Sequence, residues 1–273
     1  MDTRIKIILA CFLFYVTAAL KAQEHLAPLF SYSGLPKGVD VQVLYNQGFI
    51  IGYSNALKNP LWACYRLGNA KGAYGTAEEK IEKWERPFQF QHDIRTQAQV
   101  THQDYEGSGY DRGHMAPDAA IQAQYGQRAL METYLMSNII PQHKDLNRGI
   151  WQKLEEYERK TLSQDDTNGK EVNDLYVITG PVFATKPDTL ASGVAVPTHC
   201  FKIYAYKRGY QGTVKTVAFL FPQHPQSDEF NTYLTTVDAI EKLTGLDFFS
   251  ELTETKQRNL ESKKRDFTLT EIP

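Results

Sequence analysis

Strand-like and helix-like patterns alternate along the chain and predict a mixed fold. Short runs rich in β-branched and aromatic residues, bounded by turn residues, are typical of strands. The strand-like segments are Asn59–Leu67, Leu175–Ile178, Val194–Tyr206 and Thr213–Phe221. Thr179-Gly180-Pro181 is expected to close the second of them, and Lys207–Gly212 predicts a hairpin turn between the last two.

Helical patterns lie between and after these strands. Asn147–Leu162 gives the strongest helix prediction, because it lacks Gly and Pro after Gly149 and is rich in Glu, Lys, Gln and Leu. Thr235–Leu243 predicts a shorter helix that Gly245 would end. Trp84–His102 is polar and expected to be irregular. Strand-rich segments on both sides of a helix predict the α+β class, with an antiparallel β-sheet core and flanking helices.

The N-terminus has the three-part pattern of a secretory signal peptide. Arg4 and Lys6 precede an apolar run at Ile7–Leu20, and Ala22 offers a small residue for cleavage. The run is shorter than the roughly 20 residues of a spanning helix, which favours cleavage over an uncleaved membrane anchor. Lipidation of Cys11 is a weaker alternative, since few apolar residues precede it. We therefore expect export to a secreted or periplasmic location, without stable membrane association.

Composition limits the partners of the exported chain. Loss of residues 1–22 removes three of 30 basic and one of 32 acidic side chains, which leaves 27 and 31 and a formal charge of −4. No net positive field then attracts nucleic acid, so a polyanion site has to be a local basic patch. The predicted division is a signal peptide at 1–22, one domain at 23–252 and a charged C-terminal tail at 253–273, helical or frayed.

Two cysteines, Cys64 and Cys200, remain after cleavage. An even pair in an oxidising compartment allows one disulfide. Both residues sit among aromatic side chains in strand-like segments, which is equally typical of two buried thiols. Only the geometry decides between these alternatives.

The tetrapeptide Asp111-Arg112-Gly113-His114 is the first candidate for catalysis. A neutral imidazole can take a proton from an attacking water near neutral pH. A guanidinium presents a rigid fork of donors that matches phosphate oxygens. Gly113 would let the two side chains converge. A surface salt bridge beside a solvated histidine explains these four residues equally well.

A second cluster changes that balance. Asn147, Trp151, Glu155 and Arg159 follow one another at intervals of four, which places them along one ridge of a helix. Taken singly, they also fit a helix cap, a core tryptophan and an i,i+4 salt bridge. The ridge carries an amide, a carboxylate and a second guanidinium. Together with the tetrapeptide, these groups favour a phosphate-processing site.

In these ordered motifs the chain resembles the DNA/RNA non-specific endonucleases, the sugar-nonspecific nucleases with a ββα-metal active site. The resemblance extends from near Pro60 to Phe249. The motifs are Tyr110–Pro117, Ser137–Gln142, Leu146–Trp151, Leu154-Glu155, Ile178–Phe183 and Val196–Lys202.

The resemblance implies a metal-dependent endonuclease that cleaves DNA and RNA with little sequence or sugar specificity and leaves 5′-phosphate and 3′-hydroxyl ends. His114 would be the general base, and Asn147 the one protein ligand of a hydrated Mg²⁺, for which Mn²⁺ can substitute. Mg²⁺ gives up water reluctantly and is usually held by few protein ligands. Glu155 would hold a water of the Mg²⁺ hydration shell.

The resemblance also implies roles around the metal. Arg112 and Arg159 would neutralise charge on the phosphate in the transition state. Asn138 would help to shape the site, and Asp111 would brace the loop. His143 and His199 match no family role and are interpreted as loop or surface residues. No cluster of His and Cys has the sequence spacing of a zinc site, which argues against a zinc enzyme.

Two other functions remain compatible with the sequence. A non-catalytic nucleic-acid or surface-binding protein could use the same scaffold, but the candidate base and metal ligand are both present. A metallo-phosphodiesterase acting on small esters would need the same residues as a nuclease.

Overall fold

A large antiparallel sheet with helices on both faces forms the body of the protein. The structure, a computed structural model, describes residues 25–68, 84–163, 172–208 and 213–265. Within these ranges the strands are β1 Gln42–Tyr45, β2 Phe49–Ser54, β3 Asn59–Gly68, β4 Asp111–His114, β5 Ile139–Gln142, β6 Val172–Val182, β7 His199–Arg208, β8 Val214–Pro222 and β9 Leu234–Thr235. The α-helices are α1 Ala27–Phe30, α2 Asp118–Thr133, α3 Trp151–Ser163, α4 Val237–Thr244 and α5 Glu254–Glu261.

Seven strands form the main sheet in the order β1-β2-β3-β6-β7-β8-β9, and each neighbouring pair is antiparallel. The other two, β4 and β5, form a separate antiparallel pair. Short 3₁₀ helices at His102–Tyr105, Met136–Asn138 and Phe230–Tyr233 connect these elements. The α+β class and the antiparallel core are confirmed.

The two faces of the sheet have separate cores, because side chains alternate along each strand. On one face, residues such as Tyr65 and Tyr204 pack with Trp151 and Leu154 of α3. On the other, strand residues such as Ile203 pack with α4 and α5. The first face therefore supports the β4–β5 pair and α3, where the candidate catalytic residues lie.

The expected end of the second strand is wrong. Thr179, Gly180 and Pro181 do not form a turn but continue β6, paired with β7. A Cβ on Gly180 would lie 2.3 Å from the carbonyl oxygen of Leu61, so the glycine permits a close approach inside the sheet. Packing between central strands overrides the local turn signal.

The third strand begins later than its apolar pattern predicts, at His199 instead of Val194. Residues 194–196 instead pair with residues 188–190 across a short loop, in which the Leu190 amide donates to the Val194 carbonyl and the Val196 amide to the Asp188 carbonyl. Val194 and Val196 are nevertheless buried, in a small apolar cluster. Burial accounts for their apolar character without a strand.

Other predictions agree with the structure. Residues 84–101 are irregular, and Asn59–Leu67 falls within β3. The helix α4 carries Thr236 as its N-cap and ends at Gly245 in the left-handed region, with φ 73°. Of the two alternatives left open for Cys64 and Cys200, the structure has the pair of buried free thiols.

Both chain ends extend past the described ranges. The predicted signal peptide at 1–22 and most of the turn at Lys207–Gly212 lie outside them, and no helix within them is long and apolar enough to cross a membrane. The first part of the predicted tail is α5, whose Leu260 packs in the core of the second face. Arg265 donates to Thr216 of β8, which holds this end against the sheet.

Candidate active site

The β4–β5 pair and α3 bring the two predicted motifs together. The tetrapeptide forms the whole of β4, and its Asp111 and His114 pair with Gln142 and Ile139 of β5. A Cβ on Gly113 would lie 2.3 Å from Oε1 of Gln142, so glycine is needed here for close strand approach. This differs from the predicted reason, a freedom of backbone conformation.

A turn of π-helix, Leu146–Ile150, leads from β5 into α3, which begins at Trp151 instead of Asn147. Gly149 interrupts it with φ −104° and ψ −121°. Such turns recur at functional sites because they redirect side chains within a helix. Here Asn147, before the interruption, and Glu155 and Arg159, after it, still line one cavity.

That cavity has a volume of about 400 Å³ and lies between α2, α3 and the irregular segment before β4. Its lining consists of polar and charged side chains around a few apolar ones. The lining residues are Arg86, Phe90, His114, Pro117, Asp118, Ala119, Ala120, Tyr134, Asn147, Arg148, Gln152, Glu155, Glu156 and Arg159. The lining holds three arginines and three carboxylates, so it offers guanidinium donors for phosphate without an excess of basic groups.

His114 lies in an aromatic wall of the cavity. Its ring centroid is 5.2 Å from that of Phe90 and 5.1 Å from that of Tyr134. Its Nε2 atom is buried and has no hydrogen-bond partner among the residues that the structure describes. Burial lowers the pKa of His114 to about 4, against the opposing effect of the Asp118 carboxylate. The ring is therefore neutral at physiological pH and able to accept a proton.

Asn147 is held by the first residue of the tetrapeptide. Its Nδ2 donates to Oδ2 of Asp111 over 3.0 Å, which leaves Oδ1 as the atom that can accept. Arg148 donates to both oxygens of the same carboxylate, from Nε over 2.7 Å and from a terminal nitrogen over 2.5 Å. These hydrogen bonds, those from Arg148 first, lower the pKa of Asp111. Asp111 thus fixes the turn that presents Asn147.

Glu155 stands over a buried charged network. Its Oε1 accepts from the indole nitrogen of Trp151 over 2.9 Å and lies 4.0 Å from Nζ of Lys202. The side chain keeps 22% of its surface accessible, so water in the cavity reaches it. Burial raises the pKa of Glu155 to about 8, the Lys202 ammonium opposes this rise, and the Glu158 carboxylate adds to it.

The network below Glu155 is completely enclosed. Nζ of Lys202 donates to Oε1 of Glu158 over 2.7 Å and to the hydroxyl of Tyr65 over 3.3 Å. Tyr65 donates to the other carboxylate oxygen over 2.9 Å, and Tyr204 donates to Oε1. Nζ also lies 4.6 Å from the ring centre of Trp151. The sheet therefore supports α3 directly beneath the site through one buried ion pair.

Two arginines at the cavity differ in exposure and in their contacts. Arg159 is exposed on the last part of α3 that faces the cavity. Arg86 is paired with Asp118, whose Oδ2 lies 2.9 Å from its Nε. The hydroxyl of Tyr134 donates to that same oxygen over 2.9 Å.

The structure places two predicted site residues away from the cavity lining. Arg112 donates from Nε and a terminal nitrogen to the carbonyl of His102, over 3.1 and 2.6 Å, and packs on the Tyr105 ring. Asn138 is fully buried, where it bonds to both backbone groups of Ala116 and to the Thr133 carbonyl. These contacts fix the path from β4 into α2, and a role of Asn138 in shaping the site stays a prediction.

Several residues at the cavity had no predicted role. Arg148 stands next to Asn147 in the motif Leu146–Trp151, so its position in the sequence already pointed to the site. Arg86 and Phe90 come from a segment without periodicity, and only the folded chain brings them to His114. Lys202, which lies beneath the cavity, ends the motif Val196–Lys202, but its partner Glu158 lies on α3.

Comparison with known proteins shows the family of this chain. The family model for DNA/RNA non-specific endonucleases matches residues 27–255. A nuclease of Nostoc sp. is 32% identical over 236 residues, which cover 82% of this chain and 79% of the relative. The human mitochondrial nuclease EXOG is 32% identical over 231 residues, 77% of this chain and 58% of its own length.

A solved structure supports the fold independently. The crystal structure of an EndoG/EndoGI complex matches with a TM-score of 0.65 over 82% of this chain and 90% of that chain, at 23% identity. This likeness concerns the fold alone, whereas the family match covers most of the sequence. The chain therefore belongs to the DNA/RNA non-specific endonuclease family of nucleases.

Proposed function

We propose that the protein is an exported, Mg²⁺-dependent endonuclease that hydrolyses DNA and RNA with little sequence or sugar specificity. The observation that carries this proposal is the unpartnered, buried Nε2 of His114, in one cavity with Asn147 and Glu155. A buried nitrogen without a partner is unfavourable for stability, so its retention favours a role in proton transfer.

The residues present fit a hydrated Mg²⁺. Asn147 contributes an amide oxygen, which is the ligand type that Mg²⁺ prefers, and Asp111 holds its amide nitrogen on the other side. Glu155 adds a carboxyl group on the same wall, and a bound cation would favour its ionised form, which accepts hydrogen bonds from water around the ion. When bound, the ion would stabilise negative charge on the phosphate and on the leaving 3′ oxygen.

Side chains of the protein would then provide the proton acceptor and the phosphate contacts. His114 would accept a proton from the attacking water, because its low pKa keeps the ring neutral. Arg159, exposed at the cavity, would bind phosphate oxygens and offset the charge that develops on them. The products would carry 5′-phosphate and 3′-hydroxyl ends.

Arg112 remains the least supported of the predicted phosphate ligands. Its guanidinium donates to the His102 carbonyl, so contact with substrate would require it to leave that partner. In the observed geometry it ties β4 to the preceding 3₁₀ helix. Arg159, which is exposed at the cavity, is better placed for phosphate contact, whereas Arg148 lines the cavity but donates to Asp111.

The direct test is incubation of the purified protein with plasmid DNA and with RNA, in Mg²⁺ or in EDTA. We expect cleavage of both substrates in Mg²⁺ only, and a loss of about 10²–10⁴-fold in rate for His114→Ala. His92→Ala is a matched control, because His92 is exposed and does not line the cavity. Undiminished cleavage by His114→Ala would exclude the assigned base.

Export has its own test. Expression of the full chain in a bacterial host should yield an extracytoplasmic product whose N-terminus begins after Ala22, read by mass spectrometry. A cell-associated product that retains residues 1–22 would contradict cleavage. This outcome would leave the assignment of the active site unaffected.

A further inference from the structure

Three potential metal ligands meet outside the cavity described above. Nδ1 of His143 lies 3.2 Å from Oδ2 of Asp145, and Nδ1 of His224 lies 3.6 Å from the same oxygen. The two imidazole ring centres are 3.9 Å apart. One ligand atom from each residue lies within 4.8 Å of the other two. Two histidines from distant parts of the sequence thus converge on one carboxylate.

These separations suit a small transition-metal ion. Zn²⁺ binds histidine nitrogen and carboxylate oxygen at about 2.0–2.2 Å in tetrahedral geometry, so neighbouring ligand atoms lie roughly 3.3 Å apart. The two measured nitrogen-to-oxygen distances bracket that value. All three ligand atoms lie within 4.8 Å of one another, so side-chain rotations would be needed only to bring them around one ion.

The two segments that carry the histidines are tied together beneath the cluster. The His143 amide donates to Oε1 of the buried Gln223 over 2.7 Å. Nε2 of Gln223 donates in turn to the carbonyls of Pro141 and Pro197, over 2.9 and 3.0 Å. Because Gln223 precedes His224 directly, these bonds hold the backbone segments that carry the two imidazoles next to each other.

The cluster is also accessible to an ion. The side chains of Asp145 and His224 are 53% and 62% exposed, whereas that of His143 is 20% exposed. Nδ1 of His143 accepts a hydrogen bond from the Asp145 amide over 3.3 Å, a contact that an ion would replace. Water can complete the coordination from the open side.

We propose that His143, Asp145 and His224 form a binding site for a late first-row divalent ion of the Zn²⁺ class, separate from the Mg²⁺ position at Asn147. Imidazole ligands favour Zn²⁺, Cu²⁺ and Ni²⁺, whereas Mg²⁺ favours oxygen ligands. The two positions therefore select different ions by ligand type. The proposal does not depend on nuclease activity.

Occupancy would act on the turn that presents Asn147. Asp145 is the N-cap residue of Leu146–Ile150, and His224 follows the end of β8. An ion shared between them would link that turn to the main sheet. A ligand that binds only the folded state raises the melting temperature in proportion to the logarithm of its concentration.

The test is calorimetric titration of the purified protein with Zn²⁺ in excess Mg²⁺, with thermal melts at increasing Zn²⁺. We expect one Zn²⁺ per chain and a rising melting temperature. His224→Ala should weaken binding on the order of tenfold or more, since even outer residues of metal sites contribute that much. His92→Ala, a change at another exposed histidine, should bind as the parent does.

Asn147→Ala separates this proposal from the proposed nuclease function. It should lose cleavage but keep the Zn²⁺ stoichiometry and affinity, once circular dichroism has confirmed its fold. Absence of saturable Zn²⁺ binding, or equal binding by His224→Ala, would overturn the proposed site. Binding that disappears in Asn147→Ala and survives in His224→Ala would place Zn²⁺ at the Mg²⁺ position and also refute it.

Discussion

Replacement of Lys202 by Met should destabilise the protein strongly, because it breaks the buried ion pair beneath the active site. The lysine side chain is fully buried, and its Nζ lies 2.7 Å from Oε1 of Glu158, which is 1% exposed. Met has a similar length and no charge. The change therefore removes one charge without opening a large cavity, and it leaves the Glu158 carboxylate enclosed.

The size of the effect follows from what remains around Glu158. Two tyrosine hydroxyls, those of Tyr65 and Tyr204, still donate to the carboxylate, but no cation balances it. Removal of one partner from a buried ion pair typically lowers the free energy of unfolding by about 3–5 kcal/mol. Loss of the ammonium above the Trp151 ring adds to this effect. We expect a total near the upper part of that range.

Equilibrium unfolding in urea measures the change. Fluorescence of the buried Trp62 and Trp151 and far-ultraviolet circular dichroism should report the same transition if unfolding is two-state. Lys153→Met is the matched control, because Lys153 is 54% exposed and pairs with an aspartate that is 78% exposed. That change should alter stability by less than about 1 kcal/mol.

A double-mutant cycle separates the lost charge pair from lost packing. Lys202→Met combined with Glu158→Gln leaves neither charge in the core, so the double variant should lose less stability than the two single variants together. We expect a coupling free energy of roughly 2 kcal/mol or more. Additive effects, or a loss below about 1 kcal/mol for Lys202→Met alone, would refute the argument that this ion pair supports the fold.

Four further predictions concern the site itself. Gly113→Ala should lower stability by about 1–3 kcal/mol in thermal melts, because the new Cβ would lie 2.3 Å from a side-chain oxygen of the paired strand. Asp111→Asn should raise the Mg²⁺ concentration for half-maximal cleavage about tenfold, because the Asn147 amide loses its charged partner. The pKa of Glu155 is about 8 in the folded protein and about 4.5 in the unfolded chain. The free energy of unfolding of the metal-free protein should therefore fall as pH rises from about 4.5 to about 8, and Glu155→Gln should reduce this pH dependence. The pKa of His114 is about 4 in the folded protein and about 6.5 in the unfolded chain. Its contribution to the free energy of unfolding is therefore lost as pH falls from about 6.5 to about 4, and His114→Gln should reduce the pH dependence of stability in this range.

The elements that the sequence predicted best are those in which local pattern and packing agree. The strand at Asn59–Gly68 and the helix at Val237–Thr244 combine suitable residues with clear boundaries. Strand ends were predicted less well where packing replaced the local rule. Gly180 continues a strand because a neighbouring carbonyl occupies the space of a side chain, and such a reason involves a residue distant in sequence.

The candidate site was likewise predicted where a local motif carries the residues and missed where only folding brings them together. His114, Asn147, Glu155 and Arg159 line one cavity, as the motifs and their spacing indicated. The metal-ligand cluster was missed because its second histidine, His224, joins the first only through folding. A search of the sequence for local ligand spacing cannot find a site that two separate loops assemble.

The tetrapeptide illustrates how far residue type can predict a role. A guanidinium suggests phosphate binding, yet Arg112 is engaged by a backbone carbonyl, whereas Asp111 orients the amide that would hold the metal. On an antiparallel strand, successive side chains point to opposite faces. Asp111 and Gly113 therefore share one face, and Arg112 and His114 share the other. A tetrapeptide on one strand thus cannot direct all its side chains to one ion, and residues from the Leu146–Ile150 turn and from α3 have to complete the site.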